Sequence, residues 1–572
     1  MVTLTQLRDA RLNPLDSAAC DWTALARDLD AAGPRAASGV AGTLLASGWA
    51  GADADAAYQT LDRQDSELRL AAQEACGVAP LVETAVAELR AAQSALVALL
   101  GEATGLGMTV RDDGRVDPPA ATPGGTAADP TAEAAAAAHK AKADGLSAAI
   151  ADVLTRATEA DGLLGDGVRQ LAPDAVRAGL DHWGDAVADG HMVATLASID
   201  AAAIPHGDAA AVRAWWDGLT DAQRQRFLVA FPEVLGGLDG LPALVRDRAN
   251  RIVLGATEDG LRRELDAEKA KLAGVTGGTR GAGVQFITRI NELTGRLAAV
   301  QGLRADLDFA PGHDERRGGT PVAYLLGFSA QGDGKAIVAL GNPDQARHTA
   351  VFVPGMGVAL DDSGSEVGRM RDLWAAARGN GRDARPRGDV ATIAWLGYDA
   401  PDSLDRALSP DDAKEAAPVL NRFVGGLRTT HDPASADHVT VIGHSYGSLV
   451  VGEAAQGNPA LRADDIVAVG SPGMHAHDAA QLGTDPDHVW VAQAAGDRVP
   501  TMGGLAYALP GTGVTPTDRA FGANRFTTDG SSGHSSYWDT EHPDSLENQA
   551  AIVAGRYNDV SLMWGQAPPP AE

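Results

Sequence analysis

Serine, aspartate and histidine together turn a hydroxyl into a nucleophile, and Ser445, Asp497 and His534 follow one another in the order such a site needs. Ser445 lies in Gly443-His444-Ser445-Tyr446-Gly447, after the β-branched run His438-Val439-Thr440-Val441-Ile442. The next segment, Ser448 to Ala455, reads as a helix. A strand, a tight turn and a helix hold a serine in a strained conformation, with its Oγ exposed at the carboxyl end of the strand. The flanking positions need little or no Cβ bulk, which glycine provides. A serine hydroxyl is a poor nucleophile until a base takes its proton. Imidazole does so near neutral pH, and a buried carboxylate fixes its tautomer and steadies the imidazolium. Asp497 lies in the loop after Val489-Trp490-Val491-Ala492, and His534 follows the strand-like Arg525-Phe526-Thr527-Thr528. Asp485 and Asp487 precede the strand instead of following it; His475, His477, His488 and His542 are the competing histidines.

Acyl transfer also needs two N–H groups converging on the developing oxyanion. Tyr446, the residue after the serine, supplies one, and the second is expected from the loop after an earlier strand. Val353-Pro354-Gly355-Met356-Gly357 ends such a strand, with Met356 N–H the first choice and Gly357 the second. Cys20 and Cys76 are the two cysteines and show no metal-ligand spacing. The acyl-transfer chemistry read here implies neither a metal nor an organic cofactor.

These residues need a scaffold, and the pattern of the chain supplies one. Short apolar runs begin at Val322-Ala323-Tyr324-Leu325-Leu326-Gly327-Phe328, Ala336-Ile337-Val338-Ala339-Leu340 and Ala350-Val351-Phe352-Val353. They recur at residues 390–395, 438–442, 466–469 and 489–492, the later ones alternating with helix-like stretches. That alternation predicts a largely parallel sheet covered on both faces. The stretch 358–388 is expected to be a crossover helix with loose ends.

Upstream the period is helical. Residues 3–110 read as helix broken at Ser47-Gly48-Trp49-Ala50-Gly51, and the cysteines come level if the chain folds back about Trp49. A Pro/Gly-rich linker from Asp117 to Pro130 follows. Helix resumes to about Leu171, and Trp215-Trp216 read as packing residues. Thr220 and Gln223 form a capping box, and Arg246-Asp247-Arg248-Ala249-Asn250-Arg251 starts a polar helix. Amphipathic helices are expected over 257–272 and 284–307, with a Gly-rich turn between them.

A chain of 572 residues needs more than one core, and its net charge of −29 leaves no basic face for a nucleic-acid backbone or an anionic membrane. No apolar run approaches the ~20 residues that span a bilayer. The opening Met1 to Ala10 lacks the basic flank and apolar core of a signal peptide, so the expected location is cytoplasmic, or exported without a cleaved signal.

Two resemblances sharpen this reading. Pro354-Gly355-Met356-Gly357, Gly443-His444-Ser445-Tyr446-Gly447 and Gly533-His534-Ser535-Ser536-Tyr537 resemble motifs of an actinobacterial α/β-hydrolase family of uncharacterised function, over roughly residues 205–560. The resemblance implies the fold and a Ser445, Asp497, His534 triad, but no substrate. Trp49-Ala50-Gly51 resembles the Trp-x-Gly turn of helical-hairpin substrates of type VII secretion. Tyr58-Gln59-Thr60-Leu61-Asp62 matches that family's export signal in pattern but lies too early, near the start of the second helix.

The expected architecture is multidomain: an all-α N-terminal half (helical hairpin plus helical domain), then an α/β-hydrolase domain with a mostly parallel sheet. The expected boundaries are a hairpin at 1–110, a linker at 111–130, a helical domain at 131–315, the hydrolase domain at 316–565 and a disordered tail at 566–572. The expected activity is a serine esterase or lipase-like hydrolase acting on a small-molecule or lipid ester through an acyl-enzyme. A second reading is a type VII-secreted effector or cell-envelope lipase whose residues 1–110 bind a hairpin or secretion partner. A third is a catalytically idle helical interaction protein.

Overall fold

The computed structural model describes residues 1–36, 52–120, 130–176, 183–275, 283–307, 321–379, 389–501 and 514–565. The chain divides into two units: Met1–Ala36, Arg63–Asp200 and Gln225–Ala230 in one, Ala37–Asp62, Ala201–Arg224 and Phe231–Glu572 in the other. Trp49-Ala50-Gly51, most of the Pro/Gly-rich linker, most of the Gly-rich turn and the tail from residue 566 lie outside the described residues.

The first unit is helical. Helices Leu4–Asp9, Asn13–Ala36, Pro130–Val176 and Trp183–Leu196, with most of Ala52–Gly105, bury Leu7, Val82, Leu96 and Ile150 in one core. Where the sequence predicts helix giving way to linker, β1 (Thr109–Val110) and β2 (Val116–Asp117) form an antiparallel hairpin. Arg111 clamps its ends through two bonds to Asp117, of 2.6 and 2.9 Å, and the Val116 N–H donates to Ser147 Oγ at 2.9 Å. Two-residue strands carry too little periodicity to be read from sequence. The cysteines do not pair: Cys20 is exposed, and Cys76 is buried with its Sγ donating to Gln225 Oε1 at 3.5 Å.

The second unit is built on a nine-stranded sheet. Its strands are β3 (Ala323–Ser329), β4 (Lys335–Leu340), β5 (His348–Val353), β6 (Val390–Leu396), β7 (His438–His444), β8 (Asp465–Val469), β9 (Val489–Ala492), β10 (Asn524–Phe526) and β11 (Leu562–Trp564). Their order across the sheet is β11-β10-β9-β8-β7-β5-β6-β4-β3. The six central strands, β10 through β6, run parallel, and antiparallel strands close both edges. Strand residues alternate between two cores. Phe352 and Ile442 face helices Ser363–Ala377 and Asp544–Val553, whereas Val351 and Val441 face Asp411–Thr430 and Tyr446–Ala455. The stretch after Val358 therefore includes a packed crossover helix that buries Met370, Leu373 and Trp374.

Helices Ala243–Ala273 and Val284–Leu307 pack within this second unit, on the β3 side of the sheet. The polar run 246–251 explains the contact. Asp247 Oδ1 accepts the Leu325 N–H at 2.7 Å, Asn250 Nδ2 donates to the carbonyls of Leu325 and Gly236 at 2.9 Å each, and Arg251 donates to the Ala323 carbonyl at 3.1 Å. An edge strand exposes unpaired backbone groups, and these side chains satisfy those of Ala323 and Leu325 in β3. Asn250→Ala strands two buried carbonyls and is expected to cost about 2–4 kcal/mol. Urea denaturation measures it, and a change below about 0.5 kcal/mol would refute the edge-capping role.

Candidate active site

The chain runs from β5 to β6 on one side and then returns to place β7 on the other side of β5. In open α/β sheets the crevice beyond the carboxyl ends of two such strands receives ligands. Here it is formed by the Pro354-Gly355-Met356 turn after β5 and the Ser445 turn after β7. A cavity of about 680 Å³ opens there, lined by Gly355, Met356, Ser445, Tyr446 and His534 among others.

Ser445 has φ 54° and ψ −127°, between β7 and the helix Tyr446–Ala455. Its turn is closed by two glycines. A Cβ at Gly443 would come 2.5 Å from Ser448 Cα, and one at Gly447 would come 2.1 Å from the Val353 carbonyl oxygen. Side chains at these places would push the helix off β5 and β7. Ser448 Oγ ties the turn by donating to the Ser445 carbonyl at 2.6 Å.

Asp497 follows β9 and His534 follows β10, and the fold brings them together. His534 Nδ1 lies 3.0 Å from both Asp497 oxygens, which leaves Nε2 as the ring nitrogen turned away from the carboxylate. The Asp497 side chain is fully buried, while His534 is part-exposed to the cavity. Burial alone would raise the Asp497 carboxyl. Hydrogen bonds from His534, Tyr537 and the Val499 N–H outweigh it and hold the carboxyl below its usual range. Among the competing histidines, His475 pairs with Glu453, His488 with Asp465 and His542 with Asp539.

Two residues in the recognised motifs have roles their spacing did not disclose. Tyr537 Oη donates to Asp497 Oδ2 at 2.6 Å and accepts the Ala494 N–H at 3.0 Å, so it bolts the carboxylate to its own loop. Burial, with Asp497 beside it, pushes its phenol upward, which keeps it a donor. His444 donates from Nε2 to the His534 carbonyl at 2.8 Å, and burial lowers its pKa to about 3. It therefore holds the His534 backbone as a neutral ring and adds no positive charge beside the other imidazole. Neither function had a signal beyond membership of the motif.

The two candidate N–H donors of the first turn differ. The Gly357 N–H is engaged, donating to the Pro401 carbonyl at 3.1 Å, whereas among the described residues the Met356 N–H has no acceptor. Tyr398 Oη donates to the Pro354 carbonyl at 2.8 Å and fixes the turn from below. On the other side, the Tyr446 ring is buried with its hydroxyl donating to the Ser409 carbonyl at 2.9 Å, so its backbone N–H heads the helix at a fixed position. A charged pair also reaches the cavity: Arg369 Nη1 donates to both oxygens of the buried Glu366 at 2.8 Å each.

Comparison with known proteins agrees with this fold. A family model described as alpha/beta hydrolase matches residues 330–507. The chain is 31% identical over 383 residues to the uncharacterized protein Rv2079 of Mycobacterium tuberculosis, which covers 61% of this chain and 56% of that relative. It thus spans just over half the length of that relative. It is 36% identical over 212 residues to the uncharacterized protein Mb0988c of Mycobacterium bovis, covering 36% of this chain and 75% of that relative. Three quarters of that shorter protein is matched, and the family model spans β4 to β9 with the turns after β5 and β7 and Asp497, ending before His534. The chain belongs to the alpha/beta hydrolase family.

Proposed function

We propose that the protein is a serine hydrolase that cleaves carboxylic esters through an acyl-enzyme on Ser445. The observation that carries this reading is the buried Asp497 gripping Nδ1 of His534, on the cavity where Ser445 stands at positive φ. Ser445 Oγ attacks the ester carbonyl carbon as its proton passes to His534 Nε2. The carbonyl oxygen takes the negative charge and is met by the N–H groups of Met356 and Tyr446. Collapse breaks the bond to the leaving alkoxide, which takes the proton from His534 and departs as an alcohol. Water then attacks the acyl-enzyme carbonyl, giving its proton to His534. The second collapse frees the carboxylic acid and returns that proton to Ser445 Oγ. Asp497 stays ionised throughout and orients the ring.

A fluorophosphonate probe tests this directly. Wild type is expected to be labelled and Ser445→Ala is not; equal labelling of the two, or none of folded wild type, refutes the reading. Tyr537→Phe removes one of three hydrogen bonds that hold Asp497 low. It is expected to lower kcat about tenfold, corresponding to roughly 1.4 kcal/mol, and to raise the acid limb of the pH–rate profile. An unchanged profile would make Tyr537 a packing residue only.

For residues 1–110 we propose an export or partner-binding module, because Trp49-Ala50-Gly51 lies between helices Asn13–Ala36 and Ala52–Gly105. Protein found in the medium of intact cells would support this, and strict retention would refute export.

A further inference from the structure

We propose that the Ser445 cavity selects neutral esters of long apolar acyl chains and disfavours acyl groups bearing negative charge. This rests on the serine-hydrolase reading above. Three large aliphatic side chains that line the cavity are solvent-exposed at its mouth: Met356 at 41%, Leu404 at 62% and Leu408 at 49%. Leu404 and Leu408 lie one turn apart, on the short helix Leu404–Ala407 and the residue that caps it. Val358 and Val499 continue the apolar lining. A large aliphatic side chain normally goes inside, so three gathered on one opening mark a surface that a ligand covers. The lining runs from these residues to the serine. A chain esterified at Ser445 can therefore leave the cavity and still lie on apolar surface.

The charges around this path carry the second half of the proposal. The cation in the lining, Arg369, is already engaged: Nη1 holds both oxygens of Glu366, and the guanidinium lies over the Trp538 ring at 5.2 Å. Arg406 at the rim is paired with Asp412 at 2.8 Å and Asp402 at 3.8 Å. Against these stand Asp362 in the lining, Asp361 beside it, and Asp405 next to Leu404. An added carboxylate would meet more like than unlike charge. Arg369 and Arg406 are already paired, and Arg498, exposed beside the lining residue Val499, is the nearby cation without an ion pair among the described residues. A neutral chain meets no such opposition.

The test is a p-nitrophenyl ester series from butyrate to octanoate. It includes the mono-p-nitrophenyl ester of the eight-carbon diacid as a charged match, with Ser445 titrated by a small fluorophosphonate. Wild-type kcat/KM is expected to rise about three- to fourfold per added methylene. The charged ester is expected to be at least about tenfold slower than octanoate, and the gap should narrow at about 1 M salt, where the Debye length is ~3 Å. In the double variant Leu404→Gln, Leu408→Gln, the ratio of octanoate to butyrate kcat/KM should fall about tenfold. Both side chains are exposed, and circular dichroism checks that the variant is folded. A flat or falling chain-length profile on a serine that titrates normally overturns this inference and leaves the hydrolase reading standing. A charged ester turned over as fast as octanoate, or a gap that salt leaves unchanged, overturns the role of the acidic rim. Failure of the serine to titrate removes both proposals.

Discussion

Ser445→Ala is expected to lower kcat on p-nitrophenyl butyrate by about 10⁴- to 10⁶-fold while leaving the protein folded. The substitution deletes one oxygen and keeps a Cβ, so the positive φ at this position is no more strained than before. No covalent intermediate then forms, and what remains is the cavity with the Met356 and Tyr446 N–H groups, which still favour the charge of direct water attack. Loss of a unit that works in series is not shared out among its members. Asp497→Asn combined with Ser445→Ala is therefore expected to be hardly worse than Ser445→Ala alone. A folded variant that keeps more than about one per cent of wild-type kcat would mean that another group is the nucleophile.

The second large effect is on stability and lies at the opposite end of the same strands. Asp465 begins β8 with its side chain fully buried, and four donors converge on it. These are His488 Nδ1 at 2.9 Å, His438 Nε2 at 2.9 Å, Tyr557 Oη at 2.7 Å and Trp490 Nε1 at 2.8 Å. Burial works to raise the Asp465 carboxyl, but the bonds from both histidines and Trp490 bring it down to about 2. The bond to Asp465 raises the His488 imidazole, against the opposing effect of its partial burial. Removing one member of such a buried set leaves the others desolvated and unpaired, so Asp465→Ala is expected to cost about 3–5 kcal/mol in urea denaturation.

The pH dependence of that loss has a definite sign. The His488 contribution is complete below its unfolded value, about 6.5, and disappears as pH rises through its raised folded value. The Asp465 contribution is complete above about 3.8 and disappears as pH falls through about 2. The difference in stability between wild type and Asp465→Asn should therefore be largest between about pH 4 and 6.5 and shrink, without vanishing, at alkaline pH. Equal differences at about pH 5 and pH 9 would show that the histidine charge contributes nothing.

The local rules of the chain determined a great deal. Strands β3 to β9 were legible as short apolar runs; for β5 to β9 the reason is that central parallel strands are buried on both faces and need continuous apolar sequence. The Ser445 turn was legible because the close approaches at Gly443 and Gly447 involve the elements immediately beside it. Asp497 and His534 could be picked out because each lies in the loop after a strand-like run, and a parallel sheet collects such loops at one end. Only the tertiary structure decided what meets those residues. That Tyr537 bolts Asp497, that His444 holds the His534 backbone, that the Gly357 N–H is spent on Pro401 and that Asn250 caps β3 all depend on atoms far apart in sequence. The same holds for Asp465, an unremarkable strand-starting aspartate until four donors from β7, β9 and the segments before β9 and β11 close on it. Periodicity reports which face of an element is buried; the particular hydrogen-bond partner is chosen only when elements distant in sequence pack to within about 3 Å of one another.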